Sequence, residues 1–109
     1  MLSAGLRLKD RNDFRRIYQR GKSVANPLFI LYHRPNRQLG YRVGFSVSKK
    51  VGKAVVRNRV KRRFREAARA NAALFFPGRD YVFIVRPAAA TVCYQEIVQR
   101  MAATLNRLH

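Results

Sequence analysis

The sequence predicts an α+β fold, a two-layer α/β sandwich with its elements in the order α-β-β-α-β-α, on three observations. Apolar residues recur at helical spacing in three stretches, alternate or run continuously in three others, and Gly or Pro punctuates the junctions. Helices packed on one sheet make a two-layer arrangement, and the strand-helix-strand segment in the middle requires one crossover. The general rule for such a crossover is right-handed. A chain of 109 residues suits a single domain, 1–109, with one core.

The first helix is Asp10 to Gly21, with Phe14, Ile17 and Tyr18 at i, i+3, i+4, Asp10 or Asn12 as candidate cap and Gly21 as stop. Its aromatic face is either core or an exposed binding surface. Lys22 to Pro27 reads as a polar connection, and Leu28 to Arg34 as a strand with Pro27 at its first position. After the turn Pro35 to Gly40, the stretch Tyr41 to Ser48 alternates, placing Tyr41, Val43, Phe45 and Val47 on one face. These two strands are expected to pair as an antiparallel hairpin. Gly44 and Ser46, on the second face, leave room for a ligand lying across the sheet. Pro77-Gly78-Arg79-Asp80 signals a turn, and Tyr81 to Val85 is continuously apolar, as in a central strand covered on both sides. Thr91 is expected to open a last helix whose Tyr94, Ile97, Val98, Met101, Leu105 and Leu108 share a face.

The remaining helix, from Ala54 to about Asn71, carries the most concentrated charge. Val56, Val60, Phe64 and Ala67 fall at i, i+4, i+8 and i+11, with Ala68 at the edge of the stripe. Arg57, Lys61, Arg65 and Arg69 form the adjacent row, Asn58 and Arg62 the next, and Arg59 and Arg63 close the circle. Lys49, Lys50 and Lys53 precede it. Like charges at i, i+4 repel, and cations in the first turn oppose the helix dipole. A polyanion lying along the basic rows relieves both, and the free amides at the helix start form a phosphate site. The single acid of the helix, Glu66, is expected to pair with Arg62 or Arg63.

Composition points to the same ligand. Twenty-four Lys and Arg against five Asp and Glu give a net charge of +19, beyond what solubility requires, and favour nucleic acid. Nearly half the residues, 48%, are apolar and periodic, which excludes a disordered chain. Met1 to Leu8 has no apolar signal-peptide core, no run spans a bilayer, and the lone Cys93 fits a reducing compartment, so a cytoplasmic protein without a membrane role is expected. The acids Asp10, Asp13, Glu66, Asp80 and Glu96 do not cluster as a two-metal nuclease requires. His33, at a strand end beside Arg34, reads as surface or packing rather than a general base. Single-stranded or irregular RNA suits the mixture of cations and aromatics, because exposed rings such as Phe14, Tyr18 or Tyr32 can stack on bases. A ribosomal or RNA-chaperone protein fits the same chemistry. A duplex-DNA reader fits less well, since Asn58 is the only amide on the outward rows.

Val43 to Glu66, VGFSVSKKVGKAVVRNRVKRRFRE, resembles the signature of the bacterial ribonuclease P protein component, with Arg57-Asn58-Arg59 at its centre. Asp13 to Tyr32, DFRRIYQRGKSVANPLFILY, is similar to that family's first helix and strand, and Tyr81 to Ala90, YVFIVRPAAA, to its later strand and exit. The resemblance implies the family's sandwich, a fold shared with a domain of a small-subunit ribosomal protein, with a left-handed crossover against the general rule. It implies a subunit of a ribonucleoprotein whose RNA, using magnesium ions, removes the 5′ leader from precursor tRNA. No catalytic residue and no organic cofactor would belong to the protein. The partners would be the ribonuclease P catalytic RNA and precursor tRNA, with one protein per RNA. Lys49, Lys50, Lys53, Arg57, Asn58, Arg59, Lys61, Arg62 and Arg65 would contact the catalytic RNA or bind ions and leader near it, and which of them meet ions is left open. Phe14, Tyr18 and Tyr32 would line the leader cleft, with Ser46 and Ser48 on the sheet beside them. The chain departs from the family pattern at its end, where His109 follows the last helix without a basic tail.

Overall fold

Tyr81 to Val85 has no polar side chain to give to water, so the strand that contains it must be covered on both faces and paired on both edges. The computed structural model describes residues 11–108, with side chains from residue 14 onward, and shows how this is met. The order is α1 (Arg11–Arg20), β1 (Lys22–Ala25), β2 (Phe29–Pro35), β3 (Arg42–Ser46), α2 (Ala54–Ala70), β4 (Arg79–Val85) and α3 (Tyr94–Leu108). The sheet runs β1-β2-β4-β3, with β3 parallel to β4 and the other pairs antiparallel. Strand β4 is therefore central. No helix among the described residues is long and apolar enough to cross a membrane.

Several expectations are corrected here. The polar stretch after α1 is a strand, because the Asn26 carboxamide accepts the amides of Leu28 (2.8 Å) and Phe29 (3.1 Å), closing a tight turn that folds β1 back on β2. Pro27 sits in that turn rather than in β2. The hairpin between β2 and β3 does not form either, for β4 lies between them. The connecting loop instead caps the start of β4: the Asn36 amide donates to the Gly78 carbonyl (2.8 Å) and the Gly78 amide to Gly40 (3.1 Å). Gly78 makes this possible at φ +76°. Pairing extends β4 back to Arg79, so Arg79 and Asp80 belong to the strand and not to the turn. At the other end, Thr91 closes a 3-10 turn over Pro87–Ala90, and α3 begins at Tyr94.

The core lies between the sheet and the helices α2 and α3. Phe29, Leu31, Val43, Tyr81, Phe83 and Val85 face Val60, Phe64, Ala67, Ala68, Ile97, Met101 and Leu105. Phe64 meets the rings of Phe29 and Phe45 at centroid distances of 5.9 and 6.3 Å. Burying a side chain of that size contributes about 1.5–3 kcal/mol, which holds α2 with its basic rows outward. Asn71, at the end of α2, donates to the carbonyls of Ala67 (3.0 Å) and Val98 (3.2 Å) and so ties α2 to α3. Helix α1 packs on the opposite face of the sheet through a small cluster of Ile17 and Val82, with Phe14 and Tyr32 against it. Gly21 ends α1 beside β2, where a Cβ would stand 2.9 Å from the His33 carbonyl oxygen and 2.5 Å from that of Ile17. Asp10, the alternative cap, lies outside the described residues.

Most buried polar groups are paired; Arg79 Nε is a buried donor without a hydrogen-bond partner among the described residues. Asp80 takes Arg42 through two bonds of 2.9 and 2.7 Å, and also the Asn36 amide at 2.7 Å. The Tyr81 hydroxyl accepts the Phe76 amide at 3.0 Å, and its ring stands edge-on to Phe75. His33 is buried, with Nδ1 2.7 Å from Arg79 Nη2. Burial raises the ionisation of Tyr81 and Tyr41 above the ordinary phenol value of 10.0. Their stabilising contribution is thus complete below pH 10 and is lost as pH rises through the raised folded values. Heat stability is expected to fall above about pH 10, and Tyr81→Phe should make that fall shallower while costing about 1 kcal/mol at neutral pH. Asp80→Ala, which takes away the carboxylate partner of Arg42, should cost about 3 kcal/mol in denaturant unfolding.

Candidate nucleic-acid interface

Helix α2 has the least self-neutralised charge in the molecule. Its N-cap, Lys53, has extended backbone and no side-chain capping bond, and no acid stands in the first turn. The loop before it is fixed by the buried Val51 and by turn bonds from Val51 to Ser48 (3.1 Å) and from Gly52 to Lys49 (3.2 Å), which leave Lys49 and Lys50 exposed. Lys53, Asn58, Arg59, Arg62 and Arg65 are exposed as well, while Arg57 and Lys61 are half-buried. Arg63 leans towards α3, 3.5 Å from the Val92 carbonyl, so Arg57 and Lys61 occupy the flank away from α3. Glu66 pairs with Arg69 and not with Arg62 or Arg63, because Arg69 lies one turn on, on the same exposed side. The basic rows therefore keep almost all of their charge for a partner.

A second surface lies on the face of the sheet opposite the core. Register places Tyr32, Val82 and Gly44 in one row across β2, β4 and β3, and Ile30, Ile84 and Ser46 in the next. Helix α1 crosses above them. Tyr18 is 40% exposed and stands 5.1 Å edge-on from Tyr32 and 6.4 Å from Phe14 between ring centroids. Burial raises its pKa, with the nearby Ser46 hydroxyl opposing and Tyr32 adding slightly, so at neutral pH the phenol is uncharged. Phe14 and Tyr32 are half-buried against Ile17 and Val82, with part of each ring still open. Gly44, on the edge strand, is itself buried, so the accessible part of this surface is the partly open edges of the three rings. The aromatic face of α1, core or binding surface by its sequence, is in part both. Ser48 does not join this group; it is exposed beyond the end of β3, and its Oγ accepts the Lys50 amide at 3.3 Å.

Chemistry of the protein's own has little support in these positions. Of the described carboxylates, Asp80 is held by Arg42 and Asn36 and Glu66 by Arg69, and no group of three His, Cys, Asp or Glu among the described residues could hold a metal ion. The described surface has a basic helix on one side of the sheet and a group of aromatic rings on the other.

The family model described as Ribonuclease P matches residues 2–109. The chain belongs to the ribonuclease P protein family. It is 42% identical over 102 residues to the ribonuclease P protein component of Alkaliphilus metalliredigens, covering 94% of this chain and 92% of that one. The corresponding protein of Desulforamulus reducens is 45% identical over 102 residues, covering 94% and 90%. The ribonuclease P protein of Staphylococcus aureus superposes with a TM-score of 0.85 at 36% identity over 94% of both chains. That of Thermotoga maritima gives 0.85 at 34% identity over 94% of this chain and 97% of that one. As a ribonuclease P protein, the chain is an RNA-binding component of the ribozyme-protein endonuclease that processes the 5′ end of tRNA.

A group of residues that sequence reasoning did not single out lies next to the cleft. Arg16, Arg20, Arg34, Arg37 and Arg42 surround a concavity of about 550 Å³ with Asn36, Gln38 and Asp80. The i, i+4 spacing of Arg16 and Arg20 was one available signal. The gathering of Arg34 and Arg42 around Asp80 was not, since it depends on β4 separating β2 from β3.

Because Arg57 and Lys61 are only half-buried and neither forms an ion pair among the described residues, single substitutions there should act mainly on RNA affinity. Arg57→Ala or Lys61→Ala should reduce the slope of log K against log salt by about 0.7 for each phosphate no longer neutralised, with melting temperature nearly unchanged. Binding titrations of the ribonuclease P RNA at several salt concentrations measure this directly.

Proposed function

We propose that this subunit divides its two surfaces between two RNAs. Helix α2 and the preceding loop, through Lys49, Lys50, Lys53, Arg57, Asn58, Arg59, Lys61, Arg62 and Arg65, hold the catalytic RNA, while Phe14, Tyr18, Tyr32 and Ser46 hold the single-stranded 5′ leader of precursor tRNA. The observation that carries this reading is the aromatic group itself: the rings of Phe14 and Tyr18 from α1 and Tyr32 from β2 gather on the sheet face opposite the core, each partly open to solvent, over a row that runs from Tyr32 through Val82 to Gly44 on the edge strand. Partly exposed rings suit unpaired bases, which expose a π-face whatever their sequence, and cations nearby neutralise the backbone. Ser48, placed in the turn before α2, serves the loop that presents Lys49 and Lys50 rather than the cleft.

Hydrolysis is assigned to the RNA, with magnesium ions bound by RNA and substrate. The described carboxylates do not converge as a protein-held pair of ions requires, for Asp80 and Glu66 are spent on arginines. The protein's share is binding energy and charge screening: it brings leader and catalytic RNA together and lowers the magnesium needed to offset their repulsion. One protein per RNA suffices for both roles.

With cognate catalytic RNA, the protein should promote removal of the 5′ leader at magnesium concentrations where RNA alone is slow, and protein alone should leave precursor tRNA intact. Cleavage by protein alone, abolished by replacing its acids, would refute the assignment. Phe14→Ala should weaken binding of leader-bearing precursor by about 1–3 kcal/mol, the worth of one stacked base, and leave affinity for the catalytic RNA unchanged. Equal losses for both RNAs together with a lower melting temperature would make Phe14 a core residue.

A further inference from the structure

The arginine-lined concavity is separate from both surfaces just assigned, yet it continues one of them. On the α1 face of the sheet, the row Arg34, Asp80, Arg42 follows directly on the row Tyr32, Val82, Gly44 that floors the aromatic cleft. Two residues along a strand advance by about 7 Å, so the guanidiniums begin one step from the last ring. Helix α1 spans both places, contributing Phe14 and Tyr18 to the cleft and Arg16 and Arg20 to the concavity. The loop after β2 closes the far side with Arg37 and Gln38.

Charge in the concavity is unbalanced. Its one carboxylate, Asp80, is only 5% exposed and is held bidentately by Arg42, which leaves no acid for the others. Among the described residues, Arg16, Arg20, Arg34 and Arg37 form no ion pair; the Arg34 Nε only reaches the neighbouring Pro35 carbonyl at 3.3 Å. The Asn36 carboxamide is occupied by Asp80, Gly40 and the Gln38 amide. Four cations around one hollow repel each other unless an anion sits among them, and guanidinium forks match phosphate oxygens two at a time. Stacking has no place here, since no aromatic side chain lines the hollow.

We propose that this hollow is a phosphate-binding subsite that grips the sugar-phosphate backbone of a single RNA strand where it leaves the aromatic cleft. Bases stack beside Phe14, Tyr18 and Tyr32, and the following phosphates are held by Arg16, Arg20, Arg34 and Arg37. The inference rests on the leader-cleft reading above. It adds that longer leaders gain affinity from a defined set of arginines, distinct from those on α2. The ordered Arg42–Asp80 pair positions the floor and does not itself bind.

The test compares binding of two 5′-hydroxyl oligoribonucleotides, one just long enough to fill the cleft and one extended by several nucleotides, to the full chain and to the double variant Arg20→Gln, Arg37→Gln. Both substitutions are at exposed positions, and circular dichroism and melting temperature should be unchanged. The variant should bind the short oligonucleotide as the wild type does. It should bind the long one on the order of 20-fold more weakly at 0.1 M salt, with a salt slope lower by about 1.4, for two phosphates at about 0.7 each. Identical binding of the long oligonucleotide by both proteins would overturn the subsite. The same two oligonucleotides carrying a 5′-triphosphate are bound in parallel, and a loss confined to these would overturn the backbone assignment in favour of a terminal-phosphate pocket. Tyr18→Ala, run in parallel on the short oligonucleotide, reports on the cleft alone. If that variant binds normally while the arginine variant loses affinity for the long strand, the cleft reading fails and the subsite stands.

Discussion

The parallel pairing of β3 with β4 is the constraint on which the rest of this molecule depends. Because β4 is inserted between β2 and β3, both of its faces are buried in different company: Tyr81, Phe83 and Val85 against α2 and α3, and Val82 against Ile17 of α1. One strand thus carries the core on one side and the floor of the cleft on the other. The crossover through α2 follows from the same pairing, since a parallel neighbour needs a long return path. That path is the basic helix. The fold therefore sets a basic helix on one side of the sheet and a group of aromatic rings on the other.

Electrostatics set the terms on which this arrangement exists. A net charge of +19 works against compaction, and the described acids relieve it at only two arginines, Arg42 and Arg69. Stability must come instead from the interlocked rings of Phe29, Phe45, Phe64, Phe75 and Phe83 and from buried polar pairs such as Asn71 with Ala67 and Val98. The unneutralised cations are then available as binding energy. They are divided between the α2 rows and the arginine hollow on the other face of the sheet, and under the proposed reading the two groups hold separate lengths of RNA.

Periodicity alone makes much of this visible. The stripe Val56, Val60, Phe64, Ala67 is the inward face of α2, and the unbroken Tyr81 to Val85 is the central strand. What is not legible shares one cause: local patterns report which face is apolar, but not which strand is the neighbour. Hence β1 does not show in the sequence, since its exposed residues Lys22, Ser23 and Ala25 carry no alternation and it is held by the Asn26 turn and by backbone bonds to β2. Hence also β2 and β3 look like partners of each other, although the loop between them bonds to Gly78 and leaves a gap one strand wide. Asp80 has the sequence setting of a turn residue, and only its partner Arg42, on an adjacent strand, makes it part of the sheet's interior. The aromatics Phe14, Tyr18 and Tyr32 can be named from sequence and assigned to a cleft by resemblance, but only the packing of α1 on the sheet through Ile17 and Val82 explains why they meet.

Site-specific crosslinking tests the division between two RNAs most directly. A photoreactive phenylalanine analogue replaces Tyr18 in the complete complex of protein, catalytic RNA and precursor tRNA, and the adducts are mapped by primer extension. The two-surface arrangement predicts adducts within the 5′ leader, at nucleotides upstream of the cleavage position. Adducts confined to the catalytic RNA, with the leader untouched in a complex that still cleaves, would contradict it.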